Sequence, residues 1–139
     1  MPVPPEYQRA TDDFYKLLTD VRDSTGLTTT NQAYTVLQGV FQVFRRRLDL
    51  KDAVRFVNVL PVGARALFIA EWDADEPRLD FEERALMTQE VQALRAEHNY
   101  APETAIHDVA VALRRNVDQT AFERVLAQLP RGAEEFWEA

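Results

Sequence analysis

The chain contains no cysteine, which removes disulfides, thiolate-held iron–sulfur clusters and cysteine nucleophiles from consideration. Serine occurs once, at Ser24, outside any nucleophile-elbow pattern. Glycine is reduced to Gly26, Gly39, Gly63 and Gly132. Each stands alone, so neither a phosphate-cradling loop nor a dinucleotide fingerprint can be built. The two histidines are His98 and His107, and Glu103 lies one helical turn before His107. Zinc wants three or four ligands and a di-iron bundle wants Glu-x-x-His on facing helices, so the pair reads as surface and no cofactor is expected. No apolar run exceeds about six residues, too short to span a bilayer. Nor is there a wholly basic stretch. With a net charge of -7 the chain is not expected to bind nucleic acid, whose phosphates are met mainly by Lys and Arg.

What is present is an ordinary globular composition, 46% apolar and 28% charged over 139 residues. That length fits one domain, residues 1–139, able to bury roughly two thirds of its unfolded surface. The start, Met1-Pro2-Val3-Pro4-Pro5, has neither the basic region nor the apolar region of a secretory signal, so a cytoplasmic location is expected.

One stretch is written twice. Leu48 to Phe68 and Val117 to Trp137 match without a gap, pairing Arg45-Arg46 with Arg114-Arg115 and Asp49 with Asp118. The match goes on through Leu60-Pro61 with Leu129-Pro130 and Gly63-Ala64 with Gly132-Ala133. The reading is an all-α helical bundle of two tandem pseudo-symmetric repeats of about four helices each. Repeat one covers about 6–72, repeat two about 80–138, and the acidic, proline-ended stretch 73–79 links them.

Within repeat one, Tyr7, Ala10, Phe14, Leu17, Leu18 and Val21 recur at helical spacing, with Gly26 placed to end the helix. Thr29 and Gln32 form a capping box for a second helix whose face is Ala33, Val36, Leu37, Val40, Phe41, Phe44 and Leu48. Gly39 on that helix is expected to permit a close crossing. A third helix, opened by Asp49 or Lys51, carries Ala53, Phe56, Val57 and Leu60. Pro61 then starts a fourth with Leu67, Phe68 and Trp72.

Repeat two follows the same plan. Asp80 and Glu83 imitate a capping box, and Met87, Val91 and Leu94 answer Phe14, Leu18 and Val21. Pro102 opens a helix with Ile106, Val109, Ala110, Leu113 and Val117 inward. Thr120 and Glu123 are read as the capping box of the next helix, with Phe122, Val125, Leu126 and Leu129 buried. Phe136 and Trp137 read as core, with exposure to a partner as the alternative at a chain end that would ordinarily fray.

Carboxylates are abundant, but most lie at caps or polar faces rather than where a shifted pKa would make an acid–base pair. The cluster Arg45, Arg46 and Arg47, with its echo Arg114 and Arg115, offers guanidinium forks to an anion or a partner. The competing reading is that cations at helix C-termini answer the helix dipole.

The arginine-bearing helix, the Leu60-Pro61 hairpin, the segment Ala66-Leu67-Phe68-Ile69-Ala70-Glu71-Trp72, the acidic linker and Ala127-Gln128-Leu129-Pro130 together resemble the domain of unknown function 2267 family. Asn58-Val59-Leu60-Pro61 departs from that family's usual Ala-Gln-Leu-Pro step. The resemblance implies a small, all-helical, duplicated bacterial protein and brings no catalytic residues with it. We therefore expect a cytoplasmic, non-enzymatic interaction or regulatory module, with a protein partner or self-association and no membrane or nucleic acid. The alternative is a small-molecule or anion binder with a pocket between the two repeats, hooked by Arg45, Arg46, Arg47, Arg114 or Arg115.

Overall fold

The computed structural model describes the chain from Met1 to Ala139, save the side chain of Ala96. Its described residues form helices and no strands: α1 (Pro5–Gln8), α2 (Ala10–Thr25), α3 (Thr30–Arg45), α4 (Leu50–Val57), α5 (Val62–Ile69), α6 (Arg84–Ala93), α7 (Ala105–Arg114), α8 (Gln119–Gln128) and α9 (Ala133–Phe136). The β-branched run Val54 to Leu60 is helical and turn, not strand. Among the described residues no helix is long and apolar enough to cross a membrane.

Local chemistry accounts for most boundaries. Thr29 accepts from the Gln32 backbone N–H while Gln32 reaches back to the Thr29 N–H, the reciprocal cap its spacing predicts. Gly26 ends α2 with φ at 75°, a left-handed conformation that costs glycine little. Asp49 caps α4 by accepting from the Asp52 N–H, and Asp118 caps α8 from the Ala121 N–H.

Several expectations are corrected, among them that the fourth helix carries Trp72, for α5 ends at Ile69 and Trp72 is half exposed beyond it. The α8 cap is Asp118, so Thr120 and Glu123 make no capping box and Glu123 pairs with Arg114 instead. Glu83 precedes α6 without any side-chain cap, because residues 78–83 are drawn out along tertiary bonds: the Leu79 N–H donates to the Arg46 carbonyl and Arg47 donates to that of Asp80. α7 opens at Ala105, after a turn closed by the Ala105 N–H on the Pro102 carbonyl, and not at Pro102. Tyr7 lies in α1, apart from the α2 face, and is half exposed; the helix breaks at Arg9.

α3 is the central element, packed against α2, α5, α6 and α7, while α7 also lies along α2 and α6. Gly39 lets α3 and α6 approach closely: a Cβ there would sit 3.3 Å from Val91. α4 meets α8 through Phe56 and Phe122, ring centroids 5.9 Å apart. Buried apolar residues from both sides of the linker form one cluster. At its heart Trp137 stacks on Phe56 at 5.6 Å and sits edge-on to Phe41, Phe44 and Phe122. Phe136 and Trp137 are thus completely buried, and the exposure considered for this chain end is overturned. Val125 is only half buried, whereas Phe56, Leu60, Phe122, Leu126 and Leu129 lie inside. Trp137 Nε1 is buried without a partner.

Some residues matched when 45–68 is laid on 114–137 in sequence make matching bonds. Arg45 donates to the Phe68 carbonyl at 2.8 Å and Arg114 to that of Trp137 at 2.8 Å. Arg47 donates to the Val43 carbonyl, and Asn116, its counterpart, to that of Ala112. Phe14 covers Gly63, and a Cβ on Gly132 would run into Phe81. In contact terms the counterpart of Phe14 is therefore Phe81, not Met87, and it lies ahead of α6 rather than on it.

Candidate functional site

The five arginines singled out by spacing fall into three environments. Arg47 is buried; its Nη2 pairs with Glu90 at 2.7 Å, its Nε donates to the Asp80 carbonyl and its Nη1 to the Val43 carbonyl. Arg46 reaches the other oxygen of the same carboxylate at 2.7 Å. Burial works to raise the Glu90 carboxyl, but hydrogen bonds from Arg47 and Arg46 and their charges outweigh it and hold the group below its ordinary value. Charge-assisted bonds of this kind make a buried guanidinium tolerable. Glu90 escaped the sequence reading, since one glutamate on a polar helix face carries no signal of its partner.

Arg45 is also buried, with Nη1 on the Phe68 and Ala70 carbonyls at 2.8 and 2.9 Å. Desolvation lowers its pKa. Its guanidinium carbon lies 5.8 Å from the Trp72 ring centroid, a cation–π contact. Arg114, on the other side of the linker, pairs with Glu123 and lies over Phe122. Arg115 is exposed and has no ion-pair partner among the described residues. The donors of Arg47 and the Nη1 of Arg45 are thus taken up by the protein itself, while Arg45 also lines the Trp72 cleft and Arg46 and Arg115 keep contact with solvent.

Around Arg45 the two halves diverge. In the first, Trp72 is half exposed beside a cleft of about 170 Å³ that Leu48, Leu50, Arg46 and Arg78 also line. Leu50 is 61% exposed, and Val54, one turn along α4, is 52% exposed. Leu50 therefore joins the Trp72 cleft to the outer face of α4. In the second half the matching residues are Gln119 and Glu123, and Glu123 closes over Arg114. Tyr34 and Ile69, likewise exposed, are matched by Glu103 and Glu138. Beyond Tyr100 no large apolar side chain is exposed among the described residues.

His107 lies 3.5 Å from Asp108, and no group of three or more potential metal ligands occurs among the described residues. A further cleft, of about 520 Å³, opens where the first hairpin approaches the connection from α7 to α8. It collects Lys16, Arg65 and Arg115 beside Glu6, Asp13 and Asp118.

These features define a small helical bundle with one core, an aromatic and arginine-bearing shelf on its first half, and a charged cleft between its halves. The chain matches the model of the uncharacterized conserved protein family DUF2267 over residues 14–136 and belongs to that family. No curated protein matches it.

Proposed function

We propose that this protein is a non-enzymatic interaction module that binds a protein partner, or another copy of itself, through the face made by Trp72, Leu50 and Val54. One observation carries this reading: the positions exposed and apolar in the first half are Gln119 and Glu123 in the second. A single exposed leucine needs no explanation. Here, however, the same scaffold position is solubilised in one half and left apolar beside a half-exposed tryptophan in the other. A tryptophan and aliphatic centre with arginines, Arg46 and Arg78, at the rim is the anatomy of an interaction hot spot. The net charge of -7, with Arg45 and Arg47 already bonded internally, favours a protein over nucleic acid as the ligand. A cytoplasmic setting is proposed with it, on the absence of cysteine.

Photocrosslinking from the two matched positions is the test. With a photoreactive residue at Val54, a discrete crosslinked species is expected in cells, and a far weaker one with it at Glu123. Sedimentation velocity on the purified chain then tells self-association from a different partner. Equal crosslinking from both positions, or none from Val54, sinks the proposal. Leu50→Gln with Val54→Glu, importing the residues of the second half, should abolish the species while leaving the melting temperature unchanged.

A further inference from the structure

The cleft between the halves is independent of the Trp72 face and has its own chemistry. Its three cations come from different parts of the chain: Lys16 from α2, Arg65 from α5, and Arg115 from just after α7. Against Glu6, Asp13 and Asp118 these cations are balanced in the resting molecule, and once Glu6 leaves the lining carries one positive charge in excess. Arg65 is aimed rather than loose, because its Nε donates to the Leu60 carbonyl at 2.8 Å and leaves the terminal nitrogens for other acceptors. The Glu6 carboxylate meets one at 3.3 Å and the Tyr7 hydroxyl the other at 3.4 Å. Lys16 is steadied by Asn116 Oδ1 at 3.0 Å and by Asp20 at 3.1 Å. Of the remaining acids, Asp118 is committed to the Ala121 N–H, and Asp13 stands on α2.

We propose that this cleft is a binding site for a carboxylate group, held in the resting molecule by Glu6 of the chain's own arm, residues 1–9. Every residue of that arm is exposed, and α1 buries nothing. Among the described residues its side-chain bonds to the rest of the molecule run to Arg65 alone, with the Tyr7 ring 6.0 Å from the guanidinium carbon. Exposed ion pairs contribute little to a fold. The arm can therefore leave without disturbing the core, and a carboxylate from another molecule then meets the same oriented fork, with Lys16 and Arg115 beside it. The more highly charged phosphate would suit the site less, since Asp13 and Asp118 remain in its walls.

The full-length chain carrying Glu6→Gln, which vacates the site of its carboxylate, provides the test. Succinate, the nonapeptide of residues 1–9 and inorganic phosphate are titrated in turn, and the side-chain Nε resonances of Arg65 and Arg115 are followed by NMR. Saturable shifts are expected with succinate or the peptide, about fivefold weaker in the wild-type chain, where the exposed Glu6 pair competes. They should weaken with added salt, and again when Arg115→Gln is added. A peptide that binds about tenfold more tightly than succinate assigns the site to the arm sequence, and equal affinities assign it to the carboxylate alone; both support the proposal. Equal binding to wild type and Glu6→Gln, tighter binding of phosphate, or no saturable shift from either carboxylate overturns it.

Discussion

Glu90 holds two arginines, one with a fully buried side chain, so Glu90→Gln should be costly. We expect a loss of about 3 kcal/mol at neutral pH, the lower end for breaking a buried pair, because Glu90 itself keeps some contact with water. The same residue shapes the acid limb of stability. Its folded pKa lies below the ordinary 4.5, so folding favours the ionised form. That contribution is complete above the unfolded value and is lost as pH falls through the folded one. Asp49 acts in the same sense through the Asp52 backbone hydrogen bond. Asp52 opposes it, since burial and the neighbouring Asp49 raise its pKa and protonation relieves a penalty there. Thermal melts between about pH 5 and pH 3 should show a falling midpoint for the wild type and a flatter one for Glu90→Gln. Parallel curves would show that Glu90 is not the group responsible.

The glycines offer a second comparison at this scale. Gly132 has φ at 105°, and a Cβ there would collide with Phe81, whereas Gly26 has φ at 75° and open space around it. Gly132→Ala should cost at least about 2 kcal/mol, backbone strain and overpacking adding together. Gly26→Ala should cost about 1 kcal/mol, from strain alone. Equal losses in urea denaturation would remove the Phe81 contact from the account.

Among the elements, α8 shows how near spacing comes to a boundary and how it misses. Thr120 and Glu123 have capping-box spacing, yet the chain enters α8 two residues earlier, with Asp118 as the cap. Asp118→Ala should then lower stability by about 1 kcal/mol and Thr120→Ala hardly at all, as read from denaturation midpoints. The reverse order would restore the capping box. α2 and α3 were legible because long amphipathic periods and local caps act within one segment. The extended stretch before α6 was not, because what holds it, the Arg46 carbonyl, Arg47 and the Gly132 surface, lies far away in sequence.

For the molecule as a whole, the decisive feature is that residues on both sides of the linker close the same core. Phe56 stacks on Trp137, α2 lies along α7, and α4 meets α8. Either half alone, about 70 residues, would expose those faces, and a core of that size supplies only ~3–5 kcal/mol when complete. Residues 1–75 made separately should therefore give no cooperative thermal transition as a monomer. A sharp transition in calorimetry from a monomeric fragment would mean that the halves are independent domains.

The sequence by itself determined the helical class, the cap at Thr29, the stop at Gly26 and the burial of Phe56 and Phe122, because each follows from spacing or backbone preference within a few residues; between Asp49 and Lys51 as the opening of α4 the structure chose Asp49. It also marked the arginines, since their echo is visible in the letters. Only the tertiary structure decided what each arginine does. Whether a guanidinium meets Glu90, a carbonyl, an indole face or an open cleft depends on which distant segment is folded against it. In the same way, Leu50 and Val54 are ordinary helix residues in sequence; they stand out because in this fold both face solvent and Leu50 does so beside Trp72, where the second half turns Gln119 and Glu123 outward.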